Sequence, residues 1–309
     1  MNYVLGIDIG GTNVVAGIVN KEGDIIQQFQ YKTNNYITAE NLITDIYKDC
    51  KLFERDSNLK VSAVGIGAPN ANYFTGEIEF APNLNWGNSV PISKIATKYF
   101  NLPVKIINDA NAAAIGEKFF GCAKEISNFV LLTIGTGLGS GIYVNGKILL
   151  GKNGMAGEFG HTQLPHIKRV CSCGQIGCIE TVASKRGILQ TYKEKYNELF
   201  NDFLDNMPSI EQIYQLALNG NNIALSVFQE VCEVLSIGIA NLIMILDTEA
   251  IILFGGIANA HKIMIPIIEN EVNKRLLPVF KNKVKILPSM LLNKNASVLG
   301  SAAMFFYEF

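Results

Sequence analysis

The sequence predicts an α/β fold that contains two related domains. Two segments, 4–29 and 129–150, share one plan of strand, glycine turn, strand, tight turn and strand. They begin about 125 residues apart, a spacing that suggests two related domains rather than a solenoid. Strands that alternate with helices are typical of α/β proteins, and 309 residues are enough for two domains.

Hydrophobic periodicity and turn residues predict the individual elements. Strands are predicted over 4–9, 14–19, 25–29, 61–67, 104–107, 129–134, 142–144, 147–150 and 250–254. Helices are predicted over 39–52, 92–100, 110–119 and 297–305, with a largely helical region over 185–246. Ser209 with Gln212 predicts a capping box, and Asn145 with Gly146 predicts a two-residue hairpin turn.

Asp8 is a carboxylate inside the first apolar strand. Burial of a carboxylate costs several kcal/mol unless the group is paired or close to a cation. Asp8 either caps the turn that follows it or faces a Mg²⁺-bound phosphate. The turn consists of Gly10, Gly11 and Thr12. Its glycines favour the second interpretation, since they let backbone N–H groups approach a phosphate.

Two further glycine turns follow apolar strands. The first runs from Gly135, Thr136 and Gly137 to Gly141, and the second consists of Gly255 and Gly256. The first is not a dinucleotide-binding turn, because Ser140 stands where the last glycine of G-x-G-x-x-G is needed and no helix follows. Each turn alone is also consistent with an ordinary tight turn. Together the three turns favour loops that converge on a polyphosphate.

One histidine and three cysteines lie within eighteen residues: His161, Cys171, Cys173 and Cys178. This is a complete ligand set for a closed tetrahedral zinc site. The alternatives are free thiols or a Cys171–Cys178 disulfide, and His166 competes with His161 as the fourth ligand. Glu158 and Glu180 flank the cluster, either as surface charges or as carboxylates that the metal fixes beside a polar pocket.

Asp109 immediately precedes an alanine-rich helix. It is either the N-cap of that helix or a general base that accepts the proton of a substrate hydroxyl during phosphoryl transfer. Asn83 and Trp86 belong to a predicted loop. They either pack against the protein or contact a sugar.

Bulk properties argue against several partners. The net charge is −1 and the cationic residues form no stripe, so no nucleic acid partner is expected. The most apolar stretch, 234–246, is too short to span a bilayer and contains Asn241. The N-terminus lacks the features of a signal peptide. Three cysteines are clustered and the others are isolated, which predicts a reducing cytoplasm.

Together these motifs resemble the ROK family of sugar kinases and related repressors, within the actin-like ATPase superfamily. The resemblance covers nearly the whole chain. Its most specific part is the zinc signature, which stands here as Glu158-Phe159-Gly160-His161, the segment 171–180 and Ala183-Ser184. The phosphate-1, phosphate-2, adenosine and catalytic-acid motifs of the family are similar to 8–12, 133–141, 253–258 and 108–117.

The resemblance implies two actin-like ATPase (ribonuclease H-like) domains with an interdomain cleft. The small N-terminal domain would span 1–109 plus 298–309, and the large C-terminal domain with the zinc site would span 110–297. Two such domains would close on the sugar, and a homodimer is usual in the family.

The resemblance also implies roles for individual residues. Asp109 would deprotonate the sugar 6-hydroxyl, and the other sugar contacts would be Asn83, Asn108, Glu158, His161 and Glu180. The nucleotide would be bound by Asp8, Gly10, Gly11, Thr12, Asn13, Gly135, Thr136, Gly137, Gly255 and Gly256. A structural zinc would be held by His161, Cys171, Cys173 and Cys178. Mg²⁺ would accompany ATP and be organised by Asp8 through water.

The implied activity is ATP-dependent phosphorylation of a hexose at its 6-hydroxyl, with glucose favoured. An N-acetylmannosamine, N-acetylglucosamine or fructose kinase is the nearest alternative. A non-catalytic sugar sensor and a cytoskeletal ATPase belong to other classes, and the intact Asp109 and phosphate turns argue against the sensor. Seven residues precede Asp8, so the winged helix-turn-helix of the family's repressors is not expected.

Overall fold

The protein is described by a computed structural model over residues 2–81, 83–200 and 206–309. The strands are β1 (Tyr3–Ile9), β2 (Asn13–Asn20), β3 (Ile25–Lys32), β4 (Val64–Ala68), β5 (Ala71–Asn72), β6 (Glu77–Glu79), β7 (Ser89–Val90), β8 (Val104–Asn108), β9 (Phe129–Ile134), β10 (Leu138–Val144), β11 (Lys147–Ile148), β12 (Ala250–Phe254) and β13 (Lys285–Pro288). The helices are α1 (Ala39–Ser57), α2 (Ile92–Phe100), α3 (Asp109–Phe120), α4 (Lys185–Phe200), α5 (Ile210–Leu218), α6 (Asn222–Leu246), α7 (His261–Arg275) and α8 (Ala296–Phe306). The predicted α/β class is confirmed.

The chain forms two compact units. The first consists of Met1–Ser127, Gly141–Gly157 and Asn293–Phe309, and the second of Asn128–Ser140 and Glu158–Leu292. The described strands form two five-stranded sheets, β3-β2-β1-β4-β8 and β11-β10-β9-β12-β13, and a small sheet β5-β6-β7. The domain boundaries that the family resemblance implies stay a prediction.

The sheet of the first unit brings the ends of three parallel strands to one edge. β1 is parallel to β4, and β4 is parallel to β8, whereas β2 and β3 are antiparallel neighbours. In this register Asp8 pairs with Gly67, and Ala68 pairs with Asn108. Adjacent strands lie about 4.8 Å apart, so Asp8 and Asn108 occupy the same edge at a separation of roughly 10 Å.

Glycines let α8 pack directly on the backbone of this sheet. A Cβ atom at Gly6 would lie 2.1 Å from the carbonyl oxygen of Val298, and one at Gly65 would lie 1.9 Å from that of Ser301. Neither contact leaves room for a side chain. This close packing places the first turn of α8 beside the end of β1.

The second unit contains the parallel strands β9, β12 and β13. The strand β10 begins at Leu138, four residues earlier than predicted, because Gly139 and Gly141 hide the alternation of apolar and polar side chains. The glycine turn is therefore confined to 135–137. The predicted capping box between Ser209 and Gln212 is present at the start of α5.

The helix α6 is longer than the predicted apolar stretch. By length and composition alone its 25 residues could cross a membrane, so the argument from a short apolar stretch does not apply to it. Of its most apolar window, 67% is buried inside the protein. It packs against α4, α5 and α7, which is the environment of a core helix.

Candidate functional site

Asp8 is held in place by a residue from the opposite end of the chain. The side-chain amide of Asn295 donates to Asp8 Oδ2 at 3.0 Å, while Asn295 Oδ1 accepts from the backbone N–H of Val298 at 2.9 Å. Asn295 is thus both the N-cap of α8 and a hydrogen-bond donor to the Asp8 carboxylate. Burial raises the pKa of Asp8, and the hydrogen bond from Asn295 lowers it in part.

The first glycine turn is supported by a buried threonine. Thr33 Oγ1 donates to the carbonyl of Gly10 at 2.7 Å, and the N–H of Thr33 donates to that of Thr12 at 3.0 Å. Asn13 Oδ1 accepts from Lys32 Nζ at 2.8 Å. Hydrogen bonds from Lys32 and Thr33 therefore hold the turn between Asp8 and β2 in its conformation.

The loop that contains Asn83 packs against this turn. A Cβ atom at Gly11 would lie 2.9 Å from Cβ of Asn83. The indole N–H of Trp86 donates to the carbonyl of Tyr36 at 3.0 Å. This bond supports the packing interpretation of Trp86, and it anchors the loop while the side chain of Asn83 stays exposed.

Asp109 is the first residue of α3 and not its N-cap. The cap is Asn108, whose Oδ1 accepts from the N–H groups of Ala110 at 2.9 Å and Asn111 at 3.4 Å. Asp109 Oδ1 also accepts from Ala110 at 2.8 Å. The interpretation of Asp109 as the N-cap is therefore wrong. The carboxylate stands one residue beyond the end of β8, at the sheet edge that also carries Asp8.

In the second unit the four predicted metal ligands converge. Their ligand atoms all lie within 4.8 Å of one another. Cys171 Sγ is 3.6 Å from His161 Nδ1, and Cys173 Sγ is 3.7 Å from Cys178 Sγ. Zinc–sulfur bonds of about 2.3 Å and zinc–nitrogen bonds of about 2.0 Å give tetrahedral edges of roughly 3.8 and 3.5 Å, so the donor set fits a zinc ion.

The structure contradicts two of the alternatives for the cluster. None of the six cysteines is disulfide-bonded, so the Cys171–Cys178 disulfide is not formed. Among the described residues the metal-ligand group contains His161 and not His166. His166 is exposed and lines a separate cavity of about 480 Å³ with Glu233 and Arg275.

His161 points its two ring nitrogens in different directions. Nδ1 faces the thiol of Cys171 at 3.6 Å, and Nε2 lies 4.0 Å from Glu158 Oε2. Both Glu158 and the imidazole edge retain solvent exposure. This orientation suits a residue that contacts a metal through one nitrogen and a ligand hydroxyl through the other.

Glu180 joins the thiol cluster to the second glycine turn. Its Oε2 accepts from the N–H of Leu138 at 2.8 Å, and its Oε1 lies 3.8 Å from Cys171 Sγ. A Cβ atom at Gly137 would lie 2.6 Å from the same Oε2. One carboxylate oxygen of Glu180 is therefore used to fix the turn, a contact that the local sequence does not indicate.

The second and third glycine turns are neighbours. The N–H of Gly135 donates to the carbonyl of Gly137 at 2.9 Å, and the N–H of Lys185, the first residue of α4, donates to Gly135 at 2.8 Å. Gly255 has a positive φ of 99°, and a Cβ atom there would lie 2.5 Å from the carbonyl oxygen of Ile134. Only glycine fits at position 255, where the backbone passes close to that of Ile134. This close approach brings Gly256 to the end of β9.

Gly160 sets the position of Glu158 and His161. A Cβ atom at Gly160 would lie 2.0 Å from the carbonyl oxygen of Leu138, a backbone atom that cannot rotate away. We expect Gly160→Ala to displace this turn and to lower the free energy of unfolding by about 1–3 kcal/mol. Thermal unfolding measures the loss, with Gly256→Ala as control because a Cβ atom there has no neighbour within 4 Å. Equal melting temperatures for the two variants would contradict the packing argument.

Known proteins resemble this chain over nearly its whole length. The model of the ROK family matches residues 4–307. A glucokinase from Halalkalibacterium halodurans is 33% identical over 309 residues, which cover 96% of this chain and 93% of the relative. A xylose repressor from Caldicellulosiruptor bescii is 32% identical over 312 residues, which cover 97% of this chain and 77% of the repressor.

A solved structure also resembles this chain over nearly its whole length. The ROK family glucokinase from Streptomyces griseus, solved in complex with glucose and AMPPNP, is 30% identical with a TM-score of 0.81. The match covers 98% of this chain and 99% of that one. Since the relatives include both kinases and repressors, the choice between these activities depends on the site residues.

Proposed function

Because this chain belongs to the ROK family, we propose that it is an ATP-dependent hexose kinase that phosphorylates the sugar 6-hydroxyl, with glucose preferred. The observation that carries the proposal is the position of Asp109. Its carboxylate lies one residue beyond a parallel strand, at the sheet edge that also holds Asp8 and the turn from Gly10 to Thr12. A phosphoryl acceptor needs such a base close to phosphate-binding groups.

In this proposal Asp109 of the first unit is the proton acceptor, and the turn from Gly10 to Thr12 binds phosphate oxygens. Asp109 accepts the proton of the 6-hydroxyl as that oxygen forms its bond to the γ-phosphorus and the bond to the β-phosphate oxygen breaks. Asn108 and Asn83 bind other hydroxyls. Asp8, fixed by Asn295, would hold the Mg²⁺ that accompanies ATP through water, and this ion would supply charge neutralisation at the phosphates when bound.

Residues of the second unit have proposed roles of their own. The turn of Gly135, Thr136 and Gly137 would bind phosphate oxygens, and Gly255 with Gly256 would lie against the adenosine. Glu158, His161 and Glu180 would bind sugar hydroxyls. Zinc would be held by His161 and the three clustered cysteines, where four protein ligands leave no open position, so its contribution is to rigidity.

Glucose is preferred in the proposal because glucokinases occur among the relatives and one similar structure contains glucose. We further propose that the protein works in the cytoplasm as a homodimer. The similarity to a xylose repressor supports a second candidate, a non-catalytic sugar sensor. The complete set of Asp8, Asp109 and the glycine turns supports the kinase over the sensor.

A coupled ADP-release assay tests the proposal. The panel comprises glucose, fructose, N-acetylmannosamine, N-acetylglucosamine and xylose, each with Mg-ATP and without it. We expect ADP with glucose above all other sugars and none with xylose, since xylose has no 6-hydroxyl. ADP release with a different hexose would support the kinase activity and assign it another substrate. No ADP with any sugar would favour the sensor, and ADP without sugar would favour an ATPase.

A further inference from the structure

Phe80 has a backbone conformation that is unfavourable for its side chain. Its backbone φ angle is 49°, in the left-handed region that a bulky residue rarely adopts. The other described non-glycine residues with positive φ are all short polar ones: Asn58, Asn70, Asn101, Asn145, Asp247 and Asn282. These side chains tolerate the left-handed region, whereas a phenyl ring gains nothing from it.

The ring of Phe80 is also directed away from the core. Ile78 of β6 is buried, and continued strand alternation would place Phe80 on the same buried face. The left-handed turn instead leaves its side chain 71% exposed. Hydrogen bonds hold this conformation on both sides, from the N–H of Phe80 to Asn88 at 2.7 Å and from Asn70 Nδ2 to the carbonyl of Phe80 at 3.0 Å. The fold therefore forgoes the burial of a phenyl ring.

Phe80 is hydrogen-bonded to a residue that follows a strand of the sheet that leads to Asp109. Asn70, which holds the carbonyl of Phe80, stands two residues beyond Ala68, and Ala68 pairs with Asn108. The strand β5, which pairs with β6, packs against β8. Three residues after Phe80, Asn83 packs against the turn at Gly11. The backbone of Phe80 is thus fixed within the first unit, between segments that lead to Asn83 and to Asn108, two of the residues proposed to bind the sugar.

We infer that Phe80 forms an apolar platform for the C–H face of the hexose ring, an inference that rests on the proposed kinase function. A pyranose carries hydroxyls around its edge and C–H groups on its faces. Asn83, Asn108 and Asp109 offer partners for the hydroxyls and no surface for the faces. An exposed ring on a fixed backbone supplies that surface, and contact with the sugar removes apolar area of both from water.

Substitution of Phe80 tests the inference by hexose binding. Titration calorimetry with glucose in the absence of nucleotide measures Kd, and steady-state kinetics measure KM for both substrates. We expect Phe80→Ala to raise Kd and KM for glucose about tenfold, with KM for Mg-ATP and kcat within about twofold of wild type. Phe80→Tyr keeps the ring and should keep the affinity. The control is Phe74→Ala, which removes another exposed phenyl ring, 59% accessible, from the β5–β6 hairpin.

A glycine variant separates a ligand contact from a structural role. Glycine adopts positive φ without strain, so Phe80→Gly should raise the melting temperature while it weakens glucose binding. Wild-type affinity of Phe80→Ala for glucose, or a raised KM for Mg-ATP alone, would contradict the proposed contact between Phe80 and the sugar. Neither result would contradict the proposed kinase activity. A wild-type protein that binds no hexose would overturn both, and the ADP-release assay identifies that case independently.

Discussion

Asp109→Asn is expected to lower kcat by about 10²–10⁴ while hexose binding is largely retained. The asparagine amide has the shape of the carboxylate, and its oxygen can still accept from the N–H of Ala110, as Asp109 Oδ1 does at 2.8 Å. The start of α3 is therefore preserved. What is lost is the ability to take up the proton of the sugar 6-hydroxyl.

Turnover and binding must be measured on the same preparation for this variant. Hexose affinity from calorimetry reports whether the site survives, and ADP release reports the chemical step. Asp56→Asn is a matched control, because it removes an exposed carboxylate from α1 in the same unit. Near-normal turnover in Asp109→Asn would remove Asp109 from the role of base. Loss of both binding and turnover would assign it to sugar binding instead.

Elements with clear periodicity could be predicted from the sequence. The predicted bounds of β9, β12 and α2 agree with the structure, because apolar runs with distinct ends encode them locally. The metal-ligand cluster was also predictable, since its four members lie within eighteen residues. Features of this kind depend on neighbours in the chain and need no knowledge of tertiary contacts.

The supports of the site could not be predicted in this way. Asn295 reaches Asp8 across 287 residues, and Thr33 reaches Gly10 across 23. An asparagine before an apolar run indicates a helix N-cap, but nothing local indicates which carboxylate its amide contacts. The N-cap interpretation of Asp109 is wrong for a different reason: Asn108 and Asp109 are adjacent and both are good caps, so composition does not choose between them.

Cys173→Ser is expected to abolish stoichiometric zinc binding and to weaken hexose binding. Loss of one of four ligands would lower zinc affinity by roughly 100-fold or more, and a zinc ion held by the cluster would contribute directly to the folding free energy. Cys173 is exposed, so the substitution removes little packing. Metal analysis, the melting temperature and hexose Kd together measure the effect. Cys122→Ser is the matched control, because a hydroxyl there can replace the thiol that contacts Glu117 Oε2 at 3.3 Å.

The effect on the sugar follows from the two residues that the cluster positions. His161 faces the Cys171 thiol through Nδ1 and Glu158 through Nε2, so a ring that no metal holds would be free to rotate away from the hydroxyl it would bind. Glu180 lies against Cys171 and accepts a hydrogen bond from the N–H of Leu138, so its position also depends on the thiol cluster. A wild-type protein without zinc would contradict this account. If zinc-free Cys173→Ser binds hexose normally, the role of the metal is limited to the stability of the fold.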